Sequence, residues 1–225
     1  MFGNFTVEGV IAAAEMLVAV VLAMSVREWA RAAIASRLHD PTPRLWGRVS
    51  FAPRSWFDPF GSGLLPGIVA ILWAVSTGSV LFPVAAYAKP APVDPSYFRR
   101  RTRDTVLVSL AGPVMNLLAG SAAALGLRLA TAGGGAPGIF AVLAWVHVSL
   151  FVFHLLPIPG LDGARMVALT LPPHAREVYR NGDKYLPLWV LIALFVLGFI
   201  LGIQQAIAGA ICDGIAGTSC VDAII

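Results

Sequence analysis

Long apolar runs alternate along this chain with short basic segments. Four of the runs are continuous enough to cross a hydrocarbon core of about 30 Å, which takes about 20 helical residues. They cover residues 9–35, 105–130, 138–156 and 186–208. A fifth run, residues 63–88, is interrupted by prolines, glycines and a Ser/Thr cluster. It is either one irregular span or two half-length helices that enter and leave on the same side.

The basic segments decide between these two interpretations. Residues 36–60, 89–104 and 162–185 carry the arginines that the positive-inside rule places in the cytoplasm. The first two share a side only if residues 63–88 form a re-entrant hairpin, whose free backbone groups other helices must bury. We therefore predict an all-α integral membrane protein with four full transmembrane helices, one re-entrant hairpin and extracytoplasmic termini. Five or six spans are the alternative.

Composition agrees with a membrane protein. Hydrophobic residues make up 58% of the chain and charged residues only 12%, against about 25% charged in soluble domains. The net charge of +4 could indicate a nucleic-acid partner, but the cations lie between the apolar runs and form no basic patch. We expect membrane lipids around the protein and no nucleic acid.

Residues 153–163 read F-H-L-L-P-I-P-G-L-D-G. This resembles the F-N-x-x-P-x-P-x-x-D-G motif of site-2 proteases, which are intramembrane zinc metalloproteases. Further matches follow in the family's order: L-H-D-P-T at 38–42, G-R-V at 47–49, F-D-P-F-G at 57–61 with L-P at 65–66, A-K-P-A-P-V at 88–93 and A-G-P-V-M-N at 111–116. The resemblance covers about residues 20–170.

The chain departs from the family pattern at the positions that would bind the metal and carry out catalysis. Where members carry H-E-x-x-H, residues 27–31 read R-E-W-A-R. The resemblance implies zinc ligands at Arg27, Arg31 and Asp162 and a general base at Glu28, yet arginine has no lone pair for a metal. Family members often have a histidine where this chain has Trp56, and they usually have an asparagine where it has His154.

We therefore expect a degenerate site with no catalytic residue and no cofactor. Its members are Arg27, Glu28, Arg31, His154 and Asp162. The alternative is a rearranged zinc site made by Glu28, His154 and Asp162.

Charge accounting suggests what the arginines do. Arg27 and Arg31 lie one turn apart on one helix face, which the resemblance directs toward Asp162. Together with Glu28 these charges sum to zero, so we predict a buried Arg/carboxylate cluster. In the alternative, both arginines reach the membrane surface with their charged ends.

The function that follows is a catalytically inactive membrane subunit, adaptor or regulator that binds another integral membrane protein. An active intramembrane metallopeptidase with a rearranged metal site is the alternative. We expect one membrane domain over 1–225, with a protease-like core at about 9–170 and a C-terminal helix and tail at 186–225, in the bacterial cytoplasmic membrane. Cys212 and Cys220 could form a disulfide or stay free thiols.

Overall fold

The computed structural model describes residues 7–77, 84–89, 91–134, 138–172, 174–177, 185, 188 and 198–224. Over these ranges the chain is helical and contains no strand, which confirms the all-α prediction for this part. The α-helices are α1 Val7–Arg37, α2 Thr42–Leu45, α3 Leu65–Thr77, α4 Arg101–Ala132, α5 Gly138–Leu155, α6 Asp162–Ala168 and α7 Gly198–Ala216. A π-helical turn, Pro59–Leu64, leads into α3, and 3₁₀ turns occur at Pro53–Ser55 and Pro95–Tyr97.

Two of these helices, α4 and α5, are long and apolar enough to cross a membrane. Together with the apolar composition they fit an integral membrane protein. The four-span count and the orientation of the termini stay predictions. Most of the predicted span 186–208 lies outside the described residues, and its helix continues past Ala208 to Ala216.

The helices pack around α5. α4 lies along α5, and both α1 and α7 contact these two helices. Gly120 lets α4 approach closely, because a Cβ there would lie 2.8 Å from Val148 Cγ2 and 3.3 Å from the Val148 backbone nitrogen. The main core includes Met24, Trp145 and Leu150.

Large apolar side chains cover the outer faces of the long helices. Val18 and Leu22 on α1 and Leu118 and Leu129 on α4 are each about half exposed or more. In water such a surface would favour aggregation, whereas hydrocarbon is its natural solvent. The outer surface therefore fits contact with membrane lipids.

The two ends of the interrupted apolar segment, residues 63–88, lie next to each other in the structure. Lys89 N–H donates to Trp56 O (2.9 Å), Tyr87 N–H to Gly61 O (3.0 Å), and Ser62 Oγ to Tyr87 O (2.7 Å). On α7, the buried Gln204 amide also donates to Val84 O at 3.0 Å. The chain thus returns beside its entry point, as the hairpin interpretation requires. The turn itself, residues 78–83, lies outside the described residues, so the hairpin stays a prediction.

A disulfide links α7 to the segment that follows it. Cys212 pairs with Cys220, whose Cα atom lies 6.1 Å away. The Cys220 backbone N–H also donates to Asp213 Oδ1 at 2.7 Å. Of the two possibilities open from sequence, the structure has the bridge.

Candidate functional site

Four charged side chains meet between α1 and α6. The Arg27 guanidinium donates to Glu28 Oε1 through one terminal nitrogen and to Asp162 Oδ2 through the other. Arg31 Nη1 lies 3.4 Å from Glu28 Oε1, and Arg31 Nε lies 3.5 Å from Asp162 Oδ1. None of the four residues is more than 4% exposed. We call this group the ion cluster.

The ion cluster matches the Arg/carboxylate contact that the charge accounting suggested. The guanidiniums of Arg27 and Arg31 are buried against the carboxylates and do not extend from the surface of the protein. Two positive and two negative charges cancel, which lowers the cost of keeping them in a medium of low dielectric constant.

The end of α5 and the start of α6 place Asp162 opposite the arginines. After α5 the chain turns through Gly160, whose φ of +96° is one that L side chains rarely adopt. Leu161 N–H donates back to Ile158 O (2.9 Å), and α6 begins at Asp162. Next to it, a Cβ on Gly163 would lie only 2.1 Å from Leu155 O. In the D-G pair, therefore, the aspartate supplies the charge and the glycine lets α6 touch the end of α5.

A second glycine makes room for the arginines. A Cβ on Gly112 of α4 would lie 2.8 Å from Arg27 Cγ and 3.1 Å from Arg31 Cγ. The glycine of the A-G-P motif therefore forms the wall against which both arginine stems lie.

We expect Gly112→Ala to lower the free energy of unfolding by about 1–3 kcal/mol, the usual cost of overpacking a tight contact. The added methyl group displaces the arginine stems and so lengthens their contacts with Asp162 and Glu28. Unfolding in detergent measures this loss. Gly67→Ala on α3 is the matched control, because a Cβ there meets no atom within 4 Å. Equal stability of the two variants would show that the arginines are not held against α4.

Two buried histidines of α5 take different positions. His154 is fully buried, and its Nδ1 donates to Leu150 O at 2.8 Å. Its Nε2 has no hydrogen-bond partner among the described residues. His147, one heptad earlier, lies 3.2 Å from Asn116 Oδ1 on α4. His147 thus joins two helices, and His154 lies beside the ion cluster.

Several other motif residues brace the loops around the site, a role that the sequence did not reveal. Asp40 is fully buried and accepts from Thr42 N–H and from Asp94 N–H, both at 2.9 Å. Arg48 donates to Ser55 O and lies 3.4 Å from Lys89 O. Because both residues lie in motifs of the resemblance, the sequence indicated that they matter. It did not indicate their partners, some of which lie more than 40 residues away in the chain.

Two curated bacterial proteins match this chain. The putative zinc metalloprotease YwhC of Bacillus subtilis (strain 168) is 29% identical over 190 residues, which cover 80% of this chain and 80% of YwhC. The putative zinc metalloprotease Rip2 of Mycobacterium tuberculosis is 27% identical over 177 residues, 76% of this chain and 62% of Rip2. The chain is a relative of the site-2 proteases. No family model and no solved structure matches it.

This site-2 protease relative departs from the family at residues 27–31, where it lacks the two histidines of H-E-x-x-H. The family prediction made from the motifs is confirmed. One expectation has to be corrected, however. We expected no cofactor, and the names of both relatives contradict this because they indicate zinc.

The residues present nevertheless do not fit a zinc ion. Zinc takes thiolate, imidazole or carboxylate ligands, but positions 27 and 31 hold guanidiniums. Both oxygens of Asp162 and one of Glu28 face these guanidiniums. No three Cys, His, Asp or Glu side chains in the described part of the chain are grouped to hold a metal, the set Glu28, His154 and Asp162 included. The relatives' names and the ligand positions of this chain therefore disagree.

Proposed function

We propose that this membrane protein is catalytically inactive and acts as a subunit, adaptor or regulator that binds another integral membrane protein. One observation carries the proposal: Arg27 and Arg31 occupy the positions of two metal ligands and contact the third, Asp162. Zinc hydrolysis needs about three protein ligands and an open position for water. A frame can persist while the chemistry of its site changes.

An open cavity between the start of α4 and α6 supports a binding role. It has a volume of about 590 Å³, within the range of ligand sites. Residues 91–98, the start of α4 and the α6 region line it. A cavity of this size can receive a short segment of a partner protein.

The charge of this cavity indicates what kind of segment fits. Arg101 and Arg165 lie in its wall with apolar residues such as Phe98 and Leu169. Asp94 is at the rim, where the Ser96 N–H donates to its carboxylate and lowers its pKa. Since the arginines outnumber this acid, we propose that the partner inserts an apolar segment carrying acidic residues next to its membrane helix.

Cleavage is the direct test of inactivity. We expect the purified protein, reconstituted in liposomes with zinc supplied, to leave a panel of transmembrane substrates intact. The Glu28→Gln variant, which lacks the general-base carboxylate, is the control and should behave identically. Zinc-dependent cleavage that Glu28→Gln abolishes would contradict the proposal and favour an active intramembrane metallopeptidase with a rearranged site.

The binding role has a separate test. We expect a membrane protein to co-purify with the chain from native membranes, and Arg101→Glu to reduce its recovery about tenfold or more, because one repelled charge contact costs at least about 1.4 kcal/mol. Arg44→Glu is the matched control, since Arg44 is also exposed but lies outside the cavity. Recovery of the protein as a lone monomer, or equal losses in both variants, would contradict the proposed site.

A further inference from the structure

Two basic segments of the chain come together where α1 ends and α4 begins. Residues 36–60 start in the last turn of α1, and residues 89–104 continue into the first turn of α4. Phe98, just before α4, packs against Ala35 of α1 and Val108 of α4. We call these two segments the basic end of the molecule.

Cations dominate the exposed side chains of the basic end. The two segments carry nine Lys and Arg residues and four Asp residues, and the structure describes both segments apart from residue 90. Arg48 is the one buried cation among them, whereas Asp40 and Asp104 are buried and Asp58 is half-buried. The exposed charges are therefore eight cations and Asp94. Such a surface is complementary to an extended anionic surface.

Large apolar side chains are exposed beside these cations. Leu45, Trp46, Phe51 and Tyr97 lie outside the long helices, and each is at least half exposed. Phe51 also stacks on Trp29 of α1 with the ring centroids 4.9 Å apart, which holds this loop against the helix. Aromatic side chains next to cations are typical of the layer where lipid headgroups meet hydrocarbon.

The length of α4 places the basic end at the depth of that layer. The helix has 32 residues, so it is about 48 Å long, whereas the hydrocarbon core is about 30 Å thick. When α4 spans a membrane, its ends extend beyond the hydrocarbon. Arg101 and Arg103 lie in its first turn, and its exposed large apolar side chains begin at Leu107. The arginines therefore lie level with the headgroups.

Some of these arginines are available to a ligand. Residues 99–103 read R-R-R-T-R. Arg103 pairs with Asp104, whose Oδ1 lies 2.8 Å from Arg103 Nε. In the part of the chain that the structure describes, Arg99 and Arg100 form no salt bridge, and both side chains are exposed. Guanidiniums bind phosphate oxygens strongly because both the charge and the geometry match.

We propose that the basic end binds anionic phospholipids of the surrounding membrane. Its arginines bind the headgroup phosphates, and Trp46 and Tyr97 insert at the level of the headgroups. The apolar side chains favour a lipid over a free phosphate, which has no apolar part for them to contact. This binding requires residence in a membrane and is independent of any partner protein.

Lipid counting tests the basic end directly. The full-length protein in neutral detergent is titrated with anionic phosphatidylglycerol or with phosphatidylcholine of the same acyl chains, and native mass spectrometry counts the bound lipids. We expect phosphatidylglycerol to bind at least about tenfold more tightly, because each cation near an anionic lipid surface contributes about fivefold, and this preference should decrease with salt. Equal binding of the two lipids would overturn the proposal. Displacement of phosphatidylglycerol by glycerol phosphate at equal concentration would overturn it too, because that result indicates a site for free phosphate.

One substitution tests where the lipid binds. Arg99→Gln removes an exposed cation of the basic end that lies outside the cavity proposed for the partner. We expect it to weaken phosphatidylglycerol binding about fivefold and to leave phosphatidylcholine binding unchanged. Arg128→Gln is the matched control, because Arg128 is an exposed arginine near the opposite end of α4. Both variants should keep the unfolding midpoint of the unaltered protein, and equal phosphatidylglycerol affinities of the two would overturn the proposal.

Discussion

Asp162→Ala is expected to lower the free energy of unfolding by about 3–5 kcal/mol, the usual cost of breaking a buried ion pair from one side. The variant leaves Arg27 with Glu28 alone, and one positive charge stays buried without compensation. Chemical or thermal unfolding in detergent measures the effect.

Two comparisons make this result specific to the ion cluster. Asp222→Ala removes an exposed carboxylate near the C-terminus and should change stability little. The double variant Arg27→Met with Asp162→Leu removes one charge of each sign and leaves the Glu28–Arg31 pair. Because apolar residues often replace a buried pair at no cost, we expect it to recover most of the lost stability. Unchanged stability of Asp162→Ala would contradict the ion cluster as a structural joint.

Gly163→Ala should be at least as damaging, with an expected loss of about 3 kcal/mol or more because backbone has to move. The new Cβ would lie 2.1 Å from Leu155 O and 2.4 Å from Leu155 C. Since these are backbone atoms, no side-chain rotation relieves the clash, and α6 must move away from α5 together with Asp162. A lower yield of monodisperse protein and a lower unfolding midpoint would report this movement.

The control for this substitution lies in α7. A Cβ on Gly202 meets no atom within 4 Å, so Gly202→Ala should gain about 0.5–1 kcal/mol from helix propensity. If Gly163→Ala unfolds like the unaltered protein, the α5–α6 contact is looser than described. If Gly163→Ala and Gly202→Ala lower the free energy of unfolding equally, the loss is not specific to the α5–α6 contact.

Much of the candidate site could be predicted from sequence because three of its four charged residues lie close together in the chain. Arg27, Glu28 and Arg31 lie within five residues of one helix, and helical periodicity alone puts both arginines on one face. Asp162 was assigned only by the resemblance of residues 153–163 to a protease motif. The ion pair between Arg27 and Asp162 connects positions 135 residues apart in sequence, a distance over which no local rule predicts contact.

Other parts of the site could not be predicted. The two glycines, Gly112 and Gly163, were visible in the motifs, but their roles depend on which atoms oppose them. The sequence did not predict the partner of His147 either, because Asn116 lies on a different helix. In each case the deciding quantity is a distance between elements, and a pattern along the chain does not contain it.

The sequence by itself predicted an apolar, all-helical membrane protein that resembles site-2 proteases and has arginine at two of their three metal-ligand positions. Composition, helical period and motif order are properties of the chain, so they required no fold. The tertiary structure alone decided that the arginines are buried against Asp162, that Cys212 pairs with Cys220, and that an open cavity forms between the start of α4 and α6. Burial, pairing and cavities arise when distant segments exclude water together, and that happens only when the chain folds.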